Sequence, residues 1–127
     1  MQRQTQQHRA IRAALDGAGR PLSPQEILDG ARQRVRTLNL ATVYRTLKRL
    51  VAEGAVQPVE LPGEPPRYEL RSAAERHHHH FRCRRCNSVF DLQGCVEGLK
   101  RLVPRGFRLR GHDIVLYGSC AACSSPS

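Results

Sequence analysis

Apolar residues recur at helical spacing through the first half of the chain and at shorter, strand-like spacing through the second. Ile11, Ala14, Leu15 and Ala18 share one helical face, Gly17 and Gly19 mark its stop, and Pro21 follows the break. A second helix opens at Ser23-Pro24-Gln25-Glu26, which combines a capping box with proline at the first helical position, and turns Ile27, Leu28, Ala31 and Val35 inward. The third carries Leu40, Val43, Leu47, Leu50 and Val51 on its apolar side, with Asn39 as cap and Gly54 as terminator. Thr42, Arg45, Thr46, Lys48 and Arg49 are left for its outward face.

Alternation then replaces the helical period. Ala55–Leu61 and Arg67–Leu70 flank the turn Pro62-Gly63-Glu64-Pro65-Pro66, which predicts a β-hairpin. Three short helices, the last amphipathic and basic, followed by a hairpin, predict a winged helix-turn-helix. Beyond the polar segment Ser72–Arg76 come four consecutive histidines and short strands around Arg82–Arg84 and Val89–Leu92. A brief helix is expected over Cys95–Leu102, then strands over Phe107–Arg110 and Asp113–Tyr117, and a frayed end from Ser124. The expected class is α+β: a winged-helix domain over 1–72, a His-rich hinge over 73–80, and a small α/β domain over 81–127.

The chain has 127 residues, which suits one ordinary domain or two very small ones and excludes a large enzyme core. Aromatics are 5% with no Trp, so a small C-terminal domain would lack core material and need a staple. The net charge is +10, with only Lys48 and Lys100 among 21 basic residues being lysine. Arginine favours planar acceptors such as phosphate and guanine edges. Both halves are equally basic, so the case for nucleic acid rests on the third helix. There Thr42, Tyr44 and Arg45 are the candidate DNA contacts, and Arg3, in an expected flexible N-terminal arm, is a candidate for a narrow A·T minor groove. The chain lacks a run of 18 apolar residues and an apolar signal core near Met1, from which a cytosolic protein without membrane contact is expected.

Five cysteines in a reducing compartment point to metal or thiol chemistry rather than disulfides. Cys83-Arg84-Arg85-Cys86 and Cys120-Ala121-Ala122-Cys123 are two C-x2-C grips, and four thiolates complete a tetrahedral zinc site with bonds of about 2.3 Å. In an extended run His77 and His79 face one way, His78 and His80 the other, so one run serves two sites. Cys95 and His112 are the remaining singles that complete a sulfur-containing tetrahedral set with His77 and His79, a donor mix that favours Zn2+ over Fe2+ or Mn2+.

Leu40-Ala-Thr-Val-Tyr-Arg-Thr-Leu47, taken with His77-His-His-His-Phe-Arg-Cys-Arg-Arg-Cys86, strongly resembles the ferric uptake regulator family, and most of all its zinc-uptake members. The resemblance runs from about Arg3 to Cys123. It implies a homodimeric, metal-dependent repressor whose winged helix binds palindromic, A·T-rich double-stranded operators and whose C-terminal domain dimerises. It assigns Cys83, Cys86, Cys120 and Cys123 to structural zinc. His77, His79 and His112 match a regulatory site, with Cys95 or Glu97 as fourth ligand. A second regulatory site matches at His78 and His80, with Glu69 as carboxylate, but Pro21 stands where many members carry a histidine. His8 stands in the place of a usual arginine. The expected function is therefore a zinc-sensing repressor of metal uptake genes. Its alternatives are an iron- or peroxide-responsive member and a thiol redox sensor using the C-x2-C pairs. An enzyme is not expected, because the H-x-E of zinc deaminases and the HExxH of metalloproteases are both missing.

Overall fold

A computed structural model of the chain describes residues 2–71, 79–92, 94 and 96–124, the side chains from residue 6 onward. The chain divides into two compact units, Met1–Arg76 and His77–Ser127.

The first unit contains α1 (Gln2–Ala18), α2 (Pro24–Ala31), α3 (Leu40–Ala52) and the antiparallel pair β1 (Val56–Val59) and β2 (Arg67–Leu70). Each helix boundary has a chemical cause. Ser23 accepts from the Glu26 amide while the Glu26 carboxylate accepts from the Ser23 amide, at 3.1 and 2.9 Å, so two otherwise unpaired N–H groups at the start of α2 are satisfied together. Asn39 caps α3 through the Thr42 amide at 2.9 Å. At the other end Gly54 adopts φ 78°, letting the Gly54 and Ala55 amides return to Val51 and Leu50, a glycine-terminated helix end that a residue with a Cβ would strain.

Ile11, Leu15, Ile27, Leu28, Ala31, Leu38, Val43, Leu47, Leu50 and Val56 form one continuous core under the three helices and the hairpin. Leu22 exchanges both backbone hydrogen bonds with Tyr68 at 2.8 Å, which stitches the loop before α2 to the hairpin. Glu26 meets Arg20 at 3.3 Å and the buried guanidinium of Arg67 at 3.1 Å, so the same carboxylate that closes the capping box also ties α2 to β2.

Four expectations are corrected here. The second helix ends at Ala31, and Val35 packs on the core from the following turn. Val51 is exposed because the apolar stripe of α3 is satisfied by Val43, Leu47 and Leu50. Thr42 is buried, its amide and hydroxyl both engaged at the first turn of α3. Arg3 lies on helical backbone, since α1 begins at Gln2, so a flexible arm is not what carries it.

The second unit contains β3 (His80–Cys83), β4 (Val89–Asp91), a 3-10 turn over Leu99–Leu102, β5 (Val115–Gly118) and the one-turn helix α4 (Ala121–Ser124). The sheet order is β4-β3-β5, with β4 antiparallel and β5 parallel to β3. The helix expected over Cys95–Leu102 is reduced to the 3-10 turn: Gly94 and Gly98 adopt φ 94° and 85°, left-handed values that interrupt an α-helix before it nucleates. No strand forms over Phe107–Arg110, and the second expected strand begins only at Val115. His79 and His80, expected in the hinge, are tied to this sheet: the Leu92 amide donates to the His79 carbonyl and the His80 amide to the Ile114 carbonyl. Among the described residues, no helix is long and apolar enough to cross a membrane.

Candidate metal and nucleic-acid sites

Cys83 ends β3, and the chain turns at once through Arg84–Cys86. Asn87 takes φ 64° and returns its amide to the Cys83 carbonyl at 2.9 Å, closing the turn. Parallel pairing with β5 brings Gly118 beside Cys83, and the Arg84 amide donates to the Gly118 carbonyl at 2.8 Å. Gly118 permits this approach, since a Cβ there would stand 3.2 Å from the Phe81 ring. The Arg84 guanidinium lies 4.6 Å from the Tyr117 ring centre, holding the turn against β5. The second C-x2-C grip follows directly, with Cys120 ahead of α4 and Cys123 within it.

All four cysteine sulfurs lie within 4.8 Å of one another, and Cys86 and Cys120 are 3.8 Å apart. A tetrahedron with bonds of about 2.3 Å has edges of about 3.8 Å, so the donor set fits zinc. The thiols are free rather than paired in disulfides. Backbone amides of Cys86 and Cys120 donate to the Cys83 sulfur at 3.4 and 3.3 Å, which holds that thiol down to about 6. Ser88 lowers Cys86, while the neighbouring sulfurs of Cys120 and Cys83 push Cys123 up to about 12. The cluster thus accumulates negative charge that its members resist sharing, and a bound dication relieves that resistance.

The histidine run resolves into two faces. His79 is buried, its Nδ1 accepting from the Ile114 amide at 3.1 Å, and its ring stacks on His112 with centroids 4.8 Å apart and planes 18° apart. Lone pairs of stacked imidazoles run side by side instead of converging on one point. His79 and His112 are therefore neighbours as expected, but joint coordination needs one ring to turn. His80 points elsewhere, its Nε2 standing 3.2 Å from an Asp91 oxygen. Asp91 was missed by the sequence reading. Its signal is the hairpin register, which pairs His80 with Asp91 across β3 and β4. His77, His78 and Cys95 lie outside the described residues. Glu69 is buried on β2, and Glu97 is exposed.

On α3, Tyr44 is 52% exposed and Arg45 is exposed beside it. Thr42 accepts from the Arg45 guanidinium at 3.1 Å, so its largely buried hydroxyl also aims the neighbouring candidate contact. Lys48 and Arg49 continue the exposed cationic side.

The family model for the ferric uptake regulator family matches residues 2–117. A zinc uptake regulation protein of Mycobacterium tuberculosis is 34% identical over 126 residues, covering 97% of this chain and 95% of that protein. A solved zinc-bound manganese uptake regulator superposes with TM-score 0.76 at 26% identity, over 90% of this chain and 87% of the other. A zinc uptake regulator complexed with zinc and DNA superposes with TM-score 0.54 at 29% identity, over 92% and 80%.

Proposed function

Because this chain belongs to the ferric uptake regulator family, we propose that it is a cytoplasmic, homodimeric repressor that senses zinc and controls metal uptake genes. The observation that carries this reading is the presence in one chain of an exposed Tyr44–Arg45 face on a winged helix and a four-thiol cluster spanning no more than 4.8 Å. Similarity to a zinc uptake regulator seen with zinc and DNA supports it. Zinc as signal, in preference to iron or manganese, draws support from the 34% identity to a zinc uptake regulation protein and from the sulfur of Cys95.

In this reading Cys83, Cys86, Cys120 and Cys123 hold a structural zinc ion, whose contribution is to cross-link β3, β5 and α4. His77, His79, Cys95 and His112 would hold the regulatory ion. His78, His80 and Glu69 form a second regulatory set, with Asp91 as a further carboxylate beside His80. Tyr44 offers apolar contact to a thymine methyl, and Arg45 reaches a phosphate or guanine. Arg3 meets the operator from α1. Recognition helices of a dimer must enter major grooves about 34 Å apart. Ligands on the His77–His79 segment therefore couple metal occupancy to that spacing, and coupling of about 1–3 kcal/mol changes operator affinity roughly 5–150-fold. Dimerisation is supported by Leu102, Phe107, Leu116 and Tyr117, large apolar residues of the second unit left exposed in one protomer.

The test begins with duplexes selected in vitro from a random pool by zinc-loaded protein, then titrated against buffered zinc and iron(II). Zinc tightens binding, and Cys95→Ser removes the response while leaving one tightly held zinc per protomer. An unchanged response in Cys95→Ser removes Cys95 from the site and returns Glu97 to it. Loss of the structural zinc at low peroxide, with DNA release, would favour the thiol-sensor reading.

A further inference from the structure

Between α1 and α3 lies a cleft of about 200 Å3 lined by Gln7, His8, Thr42, Arg45, Thr46 and Arg49. The α3 contributors recur at spacings of three and four, so they form one stripe of the helix, and α1 closes the other wall with Gln7 and His8. Among the described residues the lining supplies two guanidiniums, an amide, two hydroxyls and an imidazole, and no carboxylate. Every one of these groups can donate a hydrogen bond, which matches an anion with several acceptor oxygens. The volume accommodates a phosphate group with ordered water, given about 30 Å3 per water molecule.

Resting on the DNA-binding reading above, we propose that this cleft takes a phosphodiester of the DNA backbone and that His8 grips it as imidazolium, so that DNA affinity rises as pH falls. Among the described residues, Arg45 and Arg49 from α3 are the charged groups that face His8 across the cleft, and no charged residue of α2 or of the hairpin lines it. Arginine stays protonated throughout, whereas imidazole ordinarily changes charge between about pH 5 and 8. Proton coupling at this position therefore passes through His8. The phosphate oxygen favours the charged ring, and a proton is taken up from solvent when the contact forms.

The experiment is fluorescence anisotropy with a mixed-sequence duplex at fixed ionic strength and saturating zinc, because phosphate contacts do not depend on sequence but do depend on salt. Wild type, His8→Gln and His8→Arg are compared from about pH 8 to about pH 6. Protonation of metal ligands affects all three alike, so the difference between their slopes isolates His8. Wild type should gain roughly fivefold more affinity per protomer over this range than His8→Gln, the size expected of one opposite charge acting on an imidazole. His8→Arg should bind tightly at every pH with the slope of His8→Gln. The His8 ring resonances followed by NMR should titrate at higher pH with duplex present than without. Parallel curves for all three proteins, or a ring titration that duplex leaves in place, overturn the proposal while DNA binding stands. Absence of duplex binding by any of them at low salt overturns the DNA-binding reading itself.

Discussion

The two units of this chain solve the problem of staying folded with different materials. Among the described residues, the buried apolar side chains belong to the first unit except for Cys83 and Val89. Most large apolar side chains that remain exposed, from Val96 and Leu102 to Leu116 and Tyr117, belong to the second. Helix packing gives the first unit a core that a short chain can bury by itself, because α1, α2 and α3 each present one apolar stripe to the same centre. A three-stranded sheet of three- and four-residue strands cannot do so, and its four sulfurs, all within 4.8 Å of one another, offer a site for a cross-linking ion instead. The lesson is a division of labour. The helical unit buries a core of its own, while the second unit leaves large apolar side chains exposed and gathers four thiols in one place.

The sharpest way to break this contrast is Cys83→Ser. It removes one of four ligands and also the acceptor for the Cys86 and Cys120 amides. Zinc content should fall by about one ion per protomer, and amide protection should collapse across 79–124 while α1, α2 and α3 remain protected, as read by hydrogen exchange. Retained protection in the second unit would remove the division of labour. The converse perturbation is Leu47→Ala, in the middle of the helical core. It should destabilise the first unit by about 2–5 kcal/mol and leave the structural zinc in place, as read by denaturant unfolding with zinc analysis on the same samples.

Acid sharpens the comparison further. The folded-state value for Cys83 lies at about 6, below its ordinary 9.0, so its stabilising effect is complete above about pH 9 and is lost as pH falls through about 6. Zinc loading near neutral pH should accordingly release fewer than four protons, since Cys83 is already a thiolate; calorimetry in buffers of different ionisation enthalpy counts them. Acidification should release the ion and unfold the second unit, at a pH below the metal-free value of Cys83 because the ion competes with protons for the thiolates, with the helical unit outlasting it. The smallest effect is expected from Ser23→Ala, which removes the cap on α2. It should cost about 1 kcal/mol in the first unit and leave both zinc content and its pH profile unchanged.

Most of the first unit could be read from the sequence because its signals are local. A capping box, an asparagine cap, a terminal glycine and the three- and four-residue spacing of apolar positions act within one or two helical turns, and Ser23, Asn39 and Gly54 sit where those rules put them. The paired spacing of the cysteines carried the four-thiol cluster for a similar reason: two thiols three residues apart can already offer half a tetrahedron. The expected helix over Cys95–Leu102 failed because Gly94 and Gly98 outweigh a weak apolar period, and strand expectations around Phe107 had no pairing partner to enforce them.

Sequence alone determined the ingredients: three amphipathic helices ahead of a hairpin, an arginine-rich surface, and thiols in two grips. Only the tertiary structure decided that Thr42 turns inward to aim Arg45, that His79 stacks on His112 while His80 meets Asp91, and that a donor-lined cleft opens between α1 and α3. The reason is physical. Caps and periodicity depend on neighbours a few residues away, whereas these pairings depend on strand register and helix crossing, which bring together residues whose separation along the chain carries no trace of their meeting.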